Sequence, residues 1–245
     1  MIQSAMKIKI DTHTHSIASL HAYSTIDELA KSAKKARLSG FVLSEHGPSL
    51  QGYPHPYYFS NLRVLPSKIH GVRLFRGVEL NILDTAGNID LSPRELHAMH
   101  FVMAGLHEAC FAPQSKDKNT EAIIAAIKNP YVDAISHPAN PAFPADYGAI
   151  VEAAVSWGKA LEINNSSFTV RAGSIETCPI LAKICAEKNA FVCCGSDAHY
   201  HADVGNFRMA LAVIKGVGIK PEQVVNRTLS SFFDFIEDRH GCRFR

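Results

Sequence analysis

The stretch IDTHTHSIASLHAYST (residues 10–25) decides how the chain is read. It places His13, His15 and His21 within nine residues, between the apolar run KIKID (7–11) and a helix start at Thr25. Histidine is costly to bury without a partner, so three in one turn after a strand call for a shared purpose. His13 and His15 stand at i, i+2 and on a strand project from the same side. Both can grip one ion, while His21, six residues on in a loop, suits a second.

Six further apolar runs have strand character: FVLS (41–44), LFRGV (74–78), HFVMAGL (100–106), VDAIS (132–136), ALEIN (160–164) and AFVCCG (190–195). Short runs of this kind suit strands buried on both faces. Helical patterns lie between them. In TIDELAKSAKKARLSG, Thr25 is the expected N-cap, Glu28 its capping-box partner and Gly40 the stop. NTEAIIAAIKN, DYGAIVEAAVSWGK and SIETCPILAKICAEKN repeat the theme, with Pro179 read as first-turn proline of a helix starting near Thr177. Residues 81–92 read as a hairpin turning at 85–88, and 47–58 as an aromatic loop holding Tyr53, His55, Tyr57 and Tyr58. SSFFDFIEDRH is a last amphipathic helix, its Phe232 and Phe235 packing on the barrel or on another subunit. Strand and helix alternate throughout, which implies parallel strands with right-handed crossovers. No Pro-, Gly- or Ser-rich linker divides the chain, so residues 1–245 are expected to form one domain, with a core from about 7 to 240.

Each strand run is followed by a ligand-type residue: His13 and His15, then His46, Glu79, His107, His137, the pair Asn164–Asn165, and Asp197 with His199. The spacings between them, 27 to 33 residues, match the roughly 30 residues of one βαβ unit. Any one of these alone reads as a satisfied buried histidine, a strand-end carboxylate or, for Asp197, a helix cap. Joint placement argues otherwise, because six of seven strand ends carry His, Asp or Glu. In a parallel α/β barrel the strand C-termini open on one face, and that face carries the chemistry. Seven histidines, one Glu and one Asp in one bowl need metal cations to reconcile them. His70, His97, His100 and His240 fall outside the pattern and read as structural or surface residues; His201 is left open.

Composition narrows the function classes. Of 245 residues, 47% are hydrophobic and 20% charged, and net charge is +2 with histidines neutral. Lys and Arg are scattered, which disfavours a nucleic-acid partner. No apolar stretch approaches the roughly 20 residues that cross a bilayer, and MIQSAMKIKI lacks the apolar core of a signal peptide. The six cysteines, Cys110, Cys178, Cys185, Cys193, Cys194 and Cys242, form no C-x-x-C pair. Buried reduced thiols and a cytoplasmic location are the expectation.

The H-x-H of His13–His15, the E-H-G around His46, Glu79 in GVEL, His107 in GLHE, His137 in SHP and the D-x-H of Asp197–His199 together resemble the PHP (polymerase and histidinol phosphatase) family. EINNSS (162–167) and HAYST (21–25) are similar to its small stand-alone bacterial phosphatases. The resemblance implies a distorted (β/α)7, TIM-like barrel with a trinuclear metal site at the strand C-terminal face. It implies three divalent ions, zinc foremost, with manganese or iron as alternatives. His13, His15, Glu79 and Asp197 would hold one ion, His21, His46 and His199 a second, and Glu79, His107 and His137 the third, with Glu79 bridging.

Such a cluster suits a metal-dependent phosphatase: a metal-bound hydroxide attacks a phosphomonoester without a side-chain nucleophile, Glu79 and Asp197 in support. Alternatives are a phosphodiesterase or exonuclease, an amidohydrolase-type C–N hydrolase, and a non-catalytic metal buffer. Substrate contacts are expected from Arg63, Arg171, Lys116 and Asn164, partners are limited to a small phosphorylated substrate, and a homo-oligomer is left open.

Overall fold

The computed structural model describes residues 6–50 and 52–241; Cys242 and the side chain of His240 lie outside the described residues. Eight strands form its sheet: β1 (Ile10–Thr14), β2 (Gly40–Leu43), β3 (Lys68–Ile69), β4 (Val72–Asn81), β5 (Phe101–Gly105), β6 (Ala134–Ile135), β7 (Ala160–Asn164) and β8 (Phe191–Gly195). Their order is β1-β2-β4-β5-β6-β7-β8, parallel throughout, and the short β3 pairs antiparallel with β4. Helices fill the crossovers and cover the outer faces, which is why the strand runs are apolar on both sides. The expected parallel barrel is present, with its seven strands where the apolar runs lie.

The barrel is nearly closed. Where β8 meets β1, ladder bonds give way to other devices. The Thr12 hydroxyl donates to the Cys194 carbonyl at 3.0 Å. Asn226 wedges between the two strands: its Nδ2 donates to the Ile10 and Cys194 carbonyls, both at 2.7 Å, and its Oδ1 accepts from the Cys194 N–H at 3.0 Å. Past the strand ends, Thr14 and Ala198 form a parallel bridge. The Asn226 carbonyl also takes the N–H groups of Lys9 and Ile10. The first strand therefore runs from Ile10 to Thr14 rather than from 7 to 11, and its register against β2 shifts between Asp11 and Thr14, the stretch that holds His13.

Alternation along the strands sorts the lumen into layers. Ile10, Val42, Phe75, Phe101, Ala134, Ala160 and Cys193 belong to one apolar cluster at the end away from the strand C-termini. The helix Leu229–His240, capped by Thr228, plugs that end. Phe232 is fully buried, its ring 4.9 Å from Phe75 and 5.3 Å from Phe101. The C-terminal helix thus packs on its own barrel. Phe232→Ala is expected to cost about 3–5 kcal/mol; urea unfolding checks it, and a change under about 1 kcal/mol would leave the plug without that importance.

Three local expectations are corrected. The first helix ends at Lys35, and the turn is made by Arg37 at φ +57°, not by Gly40. Gly40 opens β2, where a Cβ would lie 2.8 Å from the Phe75 ring. Pro179 stands inside the helix Ser174–Lys188, not in its first turn. Its ring leaves the Ile175 carbonyl without an i+4 donor, and both Ile175 and Ile180 are exposed, so water can serve that turn. The aromatic loop includes a helix, Pro56–Asn61, because the His55 ring accepts the Tyr57 N–H and Pro56 sits at the first position. The Thr25–Glu28 capping box and the hairpin, with Leu83 N–H bonded to the Asn88 carbonyl, form as expected.

Candidate metal centre

All nine sequence-selected histidine and carboxylate residues meet at the strand C-terminal face. β4 presents Phe75, Gly77 and Glu79 on one side, so the strand that builds the apolar floor also lifts Glu79 to the centre. The Glu79 carboxylate is fully buried. Its Oε2 lies 2.9 Å from His46 Nδ1, 3.2 Å from His13 Nε2 and 3.7 Å from His15 Nε2. Its Oε1 lies 2.8 Å from His137 Nε2 and 3.2 Å from His107 Nε2. Asp197 Oδ1 stands 3.4 Å from His15 Nε2 and 3.5 Å from His13 Nε2. His21 and His199, at the more exposed mouth, approach through their Nε2 atoms at 2.8 Å.

The outer nitrogens reveal what the inner ones can do. His13 Nδ1 faces a Glu162 carboxylate oxygen at 2.8 Å, so its proton is assigned there. His107 Nδ1 donates to Asn81 Oδ1 at 2.8 Å. His15 Nδ1 donates to the Ser19 hydroxyl, whose own proton goes to Glu45. His21 Nδ1 meets the Ser19 carbonyl at 2.9 Å and the Tyr53 hydroxyl at 2.6 Å, and His199 Nδ1 meets the Asp197 carbonyl at 3.1 Å. With those protons outward, each Nε2 carries a lone pair inward. Lone pairs then face carboxylate oxygens and, between His21 and His199, each other.

Four of these atoms, His13 Nε2, His15 Nε2, His46 Nδ1 and Glu79 Oε2, are buried without an aligned hydrogen bond, although His46 Nδ1 and Glu79 Oε2 stand 2.9 Å apart. Unsatisfied acceptors in such numbers are costly, and cations are what reconcile them. The residues therefore fit divalent metal ions. Three groups have ligand atoms within 4.8 Å of one another: His15 with His46 and His199, His13 with His15 and Asp197, and His46 with Glu79 and His107.

Electrostatics show how strongly the groups are coupled. Burial alone would push Glu79 and Asp197 up, but positive charge on His13 and the neighbouring imidazoles holds both carboxyls well below the usual range, with Arg171 adding to this at Asp197. Against its own burial, the charges of Glu162, Glu79 and Asp197 hold His13 well above the usual imidazole range, so this point of the bowl attracts a cation, proton or metal ion. Burial, and then the charge of Arg171, bring His137 down to about 4, so its ring is neutral and able to ligate. Two of the nine residues hold positive φ, His137 at +32° and Asp197 at +55°. Backbone strain of that kind costs about 1–3 kcal/mol and persists where surroundings enforce it. Here the His137 N–H is tied to Glu162 Oε2 and the Asp197 N–H to the His13 carbonyl.

A family model for the PHP domain matches residues 11–166, which carry seven of these nine residues. The chain belongs to the PHP domain family. Among its relatives, a probable phosphatase of Thermoanaerobacter sp. strain X514 is 47% identical over 236 residues, covering 96% of each chain. A probable phosphatase of Acetivibrio thermocellus is 43% identical over 232 residues, covering 95% of this chain and 96% of its own. The histidinol phosphate phosphatase of Lactococcus lactis, crystallised with zinc, L-histidinol and phosphate, superposes with a TM-score of 0.61. It covers 86% of this chain and 94% of its own at 17% identity, a likeness of fold. Matching these probable phosphatases over nearly the whole of each chain, and carrying the PHP domain, the chain is a hydrolase of the phosphatase class.

The four residues selected as substrate contacts part company in this PHP barrel. Arg171 borders the bowl, a cavity of about 670 Å³ that also touches Tyr53, Phe143, His21 and His199. Its Nη1 reaches Asp197 Oδ2 at 3.2 Å and the Ser167 hydroxyl at 3.0 Å. Asn164 is buried behind Asp197, donating to it at 3.2 Å and to Glu162 at 3.0 Å. Arg63 lines a separate cavity with Tyr57 and Arg94. Lys116 is exposed at its helix start and pairs with Asp146 at 3.7 Å.

Sequence reading passed over Glu162, Asn81 and Asp90. Asp90 binds the N–H and the side chain of Asn81, which in turn orients His107. Gly47 is needed there, since a Cβ would fall 2.3 Å from Asp90 Oδ1. Glu162 could have been found: in ALEIN it shares the inward face with Ala160 and Asn164, and a carboxylate aimed into a lumen requires a partner.

Proposed function

We propose that this PHP phosphatase hydrolyses the phosphomonoester of a small molecule with the help of three divalent ions. The ligands would be His13, His15, Glu79 and Asp197 for one ion, His21, His46 and His199 for a second, and Glu79, His107 and His137 for the third. The observation that carries this reading is the set of imidazole nitrogens gathered around the buried Glu79 carboxylate, where His13 Nε2, His15 Nε2, His46 Nδ1 and Glu79 Oε2 are buried without an aligned hydrogen bond. Zinc suits a donor set of imidazoles and carboxylates, and manganese or iron would also be accepted. When bound, such ions lower the pKa of a coordinated water and offset charge on phosphoryl oxygens.

The chain's own part is placement. Glu79 bridges the two inner sets and neutralises excess positive charge. Asp197 orients Arg171 through its Nη1, and the guanidinium borders the cavity, where its other N–H groups can donate to phosphoryl oxygens. Leu50, Tyr53 and Phe143 line the same cavity and give it an apolar side. Every barrel strand except β7 delivers a ligand from its C-terminal end, so the barrel works as one domain. Its free thiols Cys178, Cys185, Cys193 and Cys194 are buried and suit a reducing compartment.

The test is hydrolysis of p-nitrophenyl phosphate before and after a chelator, then with zinc or manganese restored. Activity is expected to fall to background and to return with metal. Full activity after exhaustive stripping would refute metal dependence. Faster turnover of bis-p-nitrophenyl phosphate would shift the reading to a diesterase.

A further inference from the structure

We propose that Glu162 is a positioning residue that couples two of the metal subsites, a role resting on the trinuclear reading above. It lies in the middle of β7, 2% exposed, and its two oxygens divide their work. Oε1 takes the Nδ1 proton of His13 at 2.8 Å, and Oε2 takes the backbone N–H of His137 at 2.8 Å. His13 belongs to the ligand set of Asp197, whereas His137 belongs to that of His107. One carboxylate therefore sets the ring of one ligand and the backbone of another, and these two ligands face different oxygens of Glu79.

Each contact has its own consequence. A carboxylate on Nδ1 fixes the tautomer of His13 and raises the basicity of the Nε2 that faces Glu79 and Asp197. The bond to the His137 N–H holds that residue at φ +32°, the strained backbone that directs its ring at Glu79 Oε1. Asn164 Nδ2 donates to Oε2 at 3.0 Å and keeps the carboxylate from rotating. Room for the pair comes from Gly195, where a Cβ would lie 2.1 Å from Glu162 Oε1 and 2.4 Å from the His13 Cβ.

Glu162→Gln isolates this role, because glutamine fills the same volume yet accepts at one oxygen only. Its amide group would face either the His13 N–H or the His137 N–H, donor against donor. One of the two ligands must lose its support, and the other faces a neutral, weaker acceptor. The experiment follows zinc binding to the metal-free protein by competition with a chromogenic chelator, and cobalt(II) binding by its visible absorption. Circular dichroism and thermal unfolding of the same metal-free samples report the fold.

The variant is expected to fold with the wild-type spectrum and to bind the inner ions about 10–100-fold more weakly. The mouth ion held by His21, His46 and His199 keeps its affinity, and the cobalt spectrum of the inner sites changes shape. Glu162→Asp, which restores charge at shorter reach, is expected to recover part of the affinity. Zinc and cobalt binding equal to wild type in Glu162→Gln would overturn the coupling role while leaving the trinuclear reading intact. Uniform weakening of all ions, in proportion to a loss of metal-free stability, would overturn it as well and make Glu162 merely structural. Wild-type protein that binds no zinc would sink the metal reading itself, and this inference with it.

Discussion

Glu79→Gln is expected to lower kcat/KM for p-nitrophenyl phosphate by about 10³-fold or more while leaving the far-UV circular dichroism unchanged. The reason lies in how many groups share this one carboxylate. Its oxygens lie within 3.7 Å of His13, His15, His46, His107 and His137, and none of its surface is exposed. Glutamine keeps the volume and removes the charge. Its amide would point N–H groups where the proposed cations would sit, so those ions would lose both a ligand and their counter-charge. Ions of this kind supply several kcal/mol of transition-state stabilisation, and about 4 kcal/mol corresponds to a thousandfold in rate. Metal content measured on the same preparation should fall in step with rate. A variant that keeps activity within about tenfold of wild type would show that Glu79 is not the bridge. Metal lost with rate retained would place the chemistry elsewhere in the bowl.

The fold was legible because six of the seven barrel strands repeat one short pattern: an apolar run, then a histidine or carboxylate, then a crossover to the next strand. Periodicity found the seven strands because both faces of each are covered, as at Phe41–Leu43 and Leu161–Ile163. It placed β1 three residues early. KIKID looks like a strand, but the N–H groups of Lys9 and Ile10 are taken by the carbonyl of Asn226, more than 200 residues away. No local pattern announces such a partner. Helix ends followed the same logic. The Thr25–Glu28 box is local and was readable, whereas Gly40 was assigned a stop because glycine commonly makes one; its actual requirement is space beside Phe75.

For the candidate centre, the residues that face its middle stood out, and those that hold them did not. His13 and Glu79 advertise themselves by chemistry and spacing. Glu162, Asn81 and Asp90 are ordinary polar residues until the barrel brings them to His13, His137 and His107. Charged residues near strand ends were the weakest guide. Arg171 and Lys116 look alike in sequence, yet Arg171 turns into the bowl against Asp197 and Lys116 turns outward to Asp146. The difference is made by the short helix Ser167–Val170, which delivers Arg171 back over β7.

Asn226→Ala is expected to destabilise the protein by about 2–5 kcal/mol, read as a lower urea midpoint with an unchanged slope. The side chain makes three bonds across the seam, to the Ile10 carbonyl and to both the N–H and the carbonyl of Cys194. Alanine removes all three. The Cys194 carbonyl keeps the Thr12 hydroxyl at 3.0 Å, but the Cys194 N–H loses its side-chain acceptor and the Ile10 carbonyl its side-chain donor, both in a fully buried setting. A buried group left without a partner costs about 1–3 kcal/mol. The seam also carries function, because three residues beyond Ile10 stands His13 and three beyond Cys194 stands Asp197. Ions held by that pair would strap the same joint from above. If loosening the seam below spreads the pair, zinc binds the variant less tightly, and the stabilisation that zinc contributes shrinks with it. The urea midpoints of wild type and Asn226→Ala should then lie further apart with zinc than without it. An equal gap in both conditions would mean that the bridge between Thr14 and Ala198 holds the upper seam by itself. A midpoint unchanged in both would mean that the backbone bonds of residues 224–226 close the barrel without the asparagine.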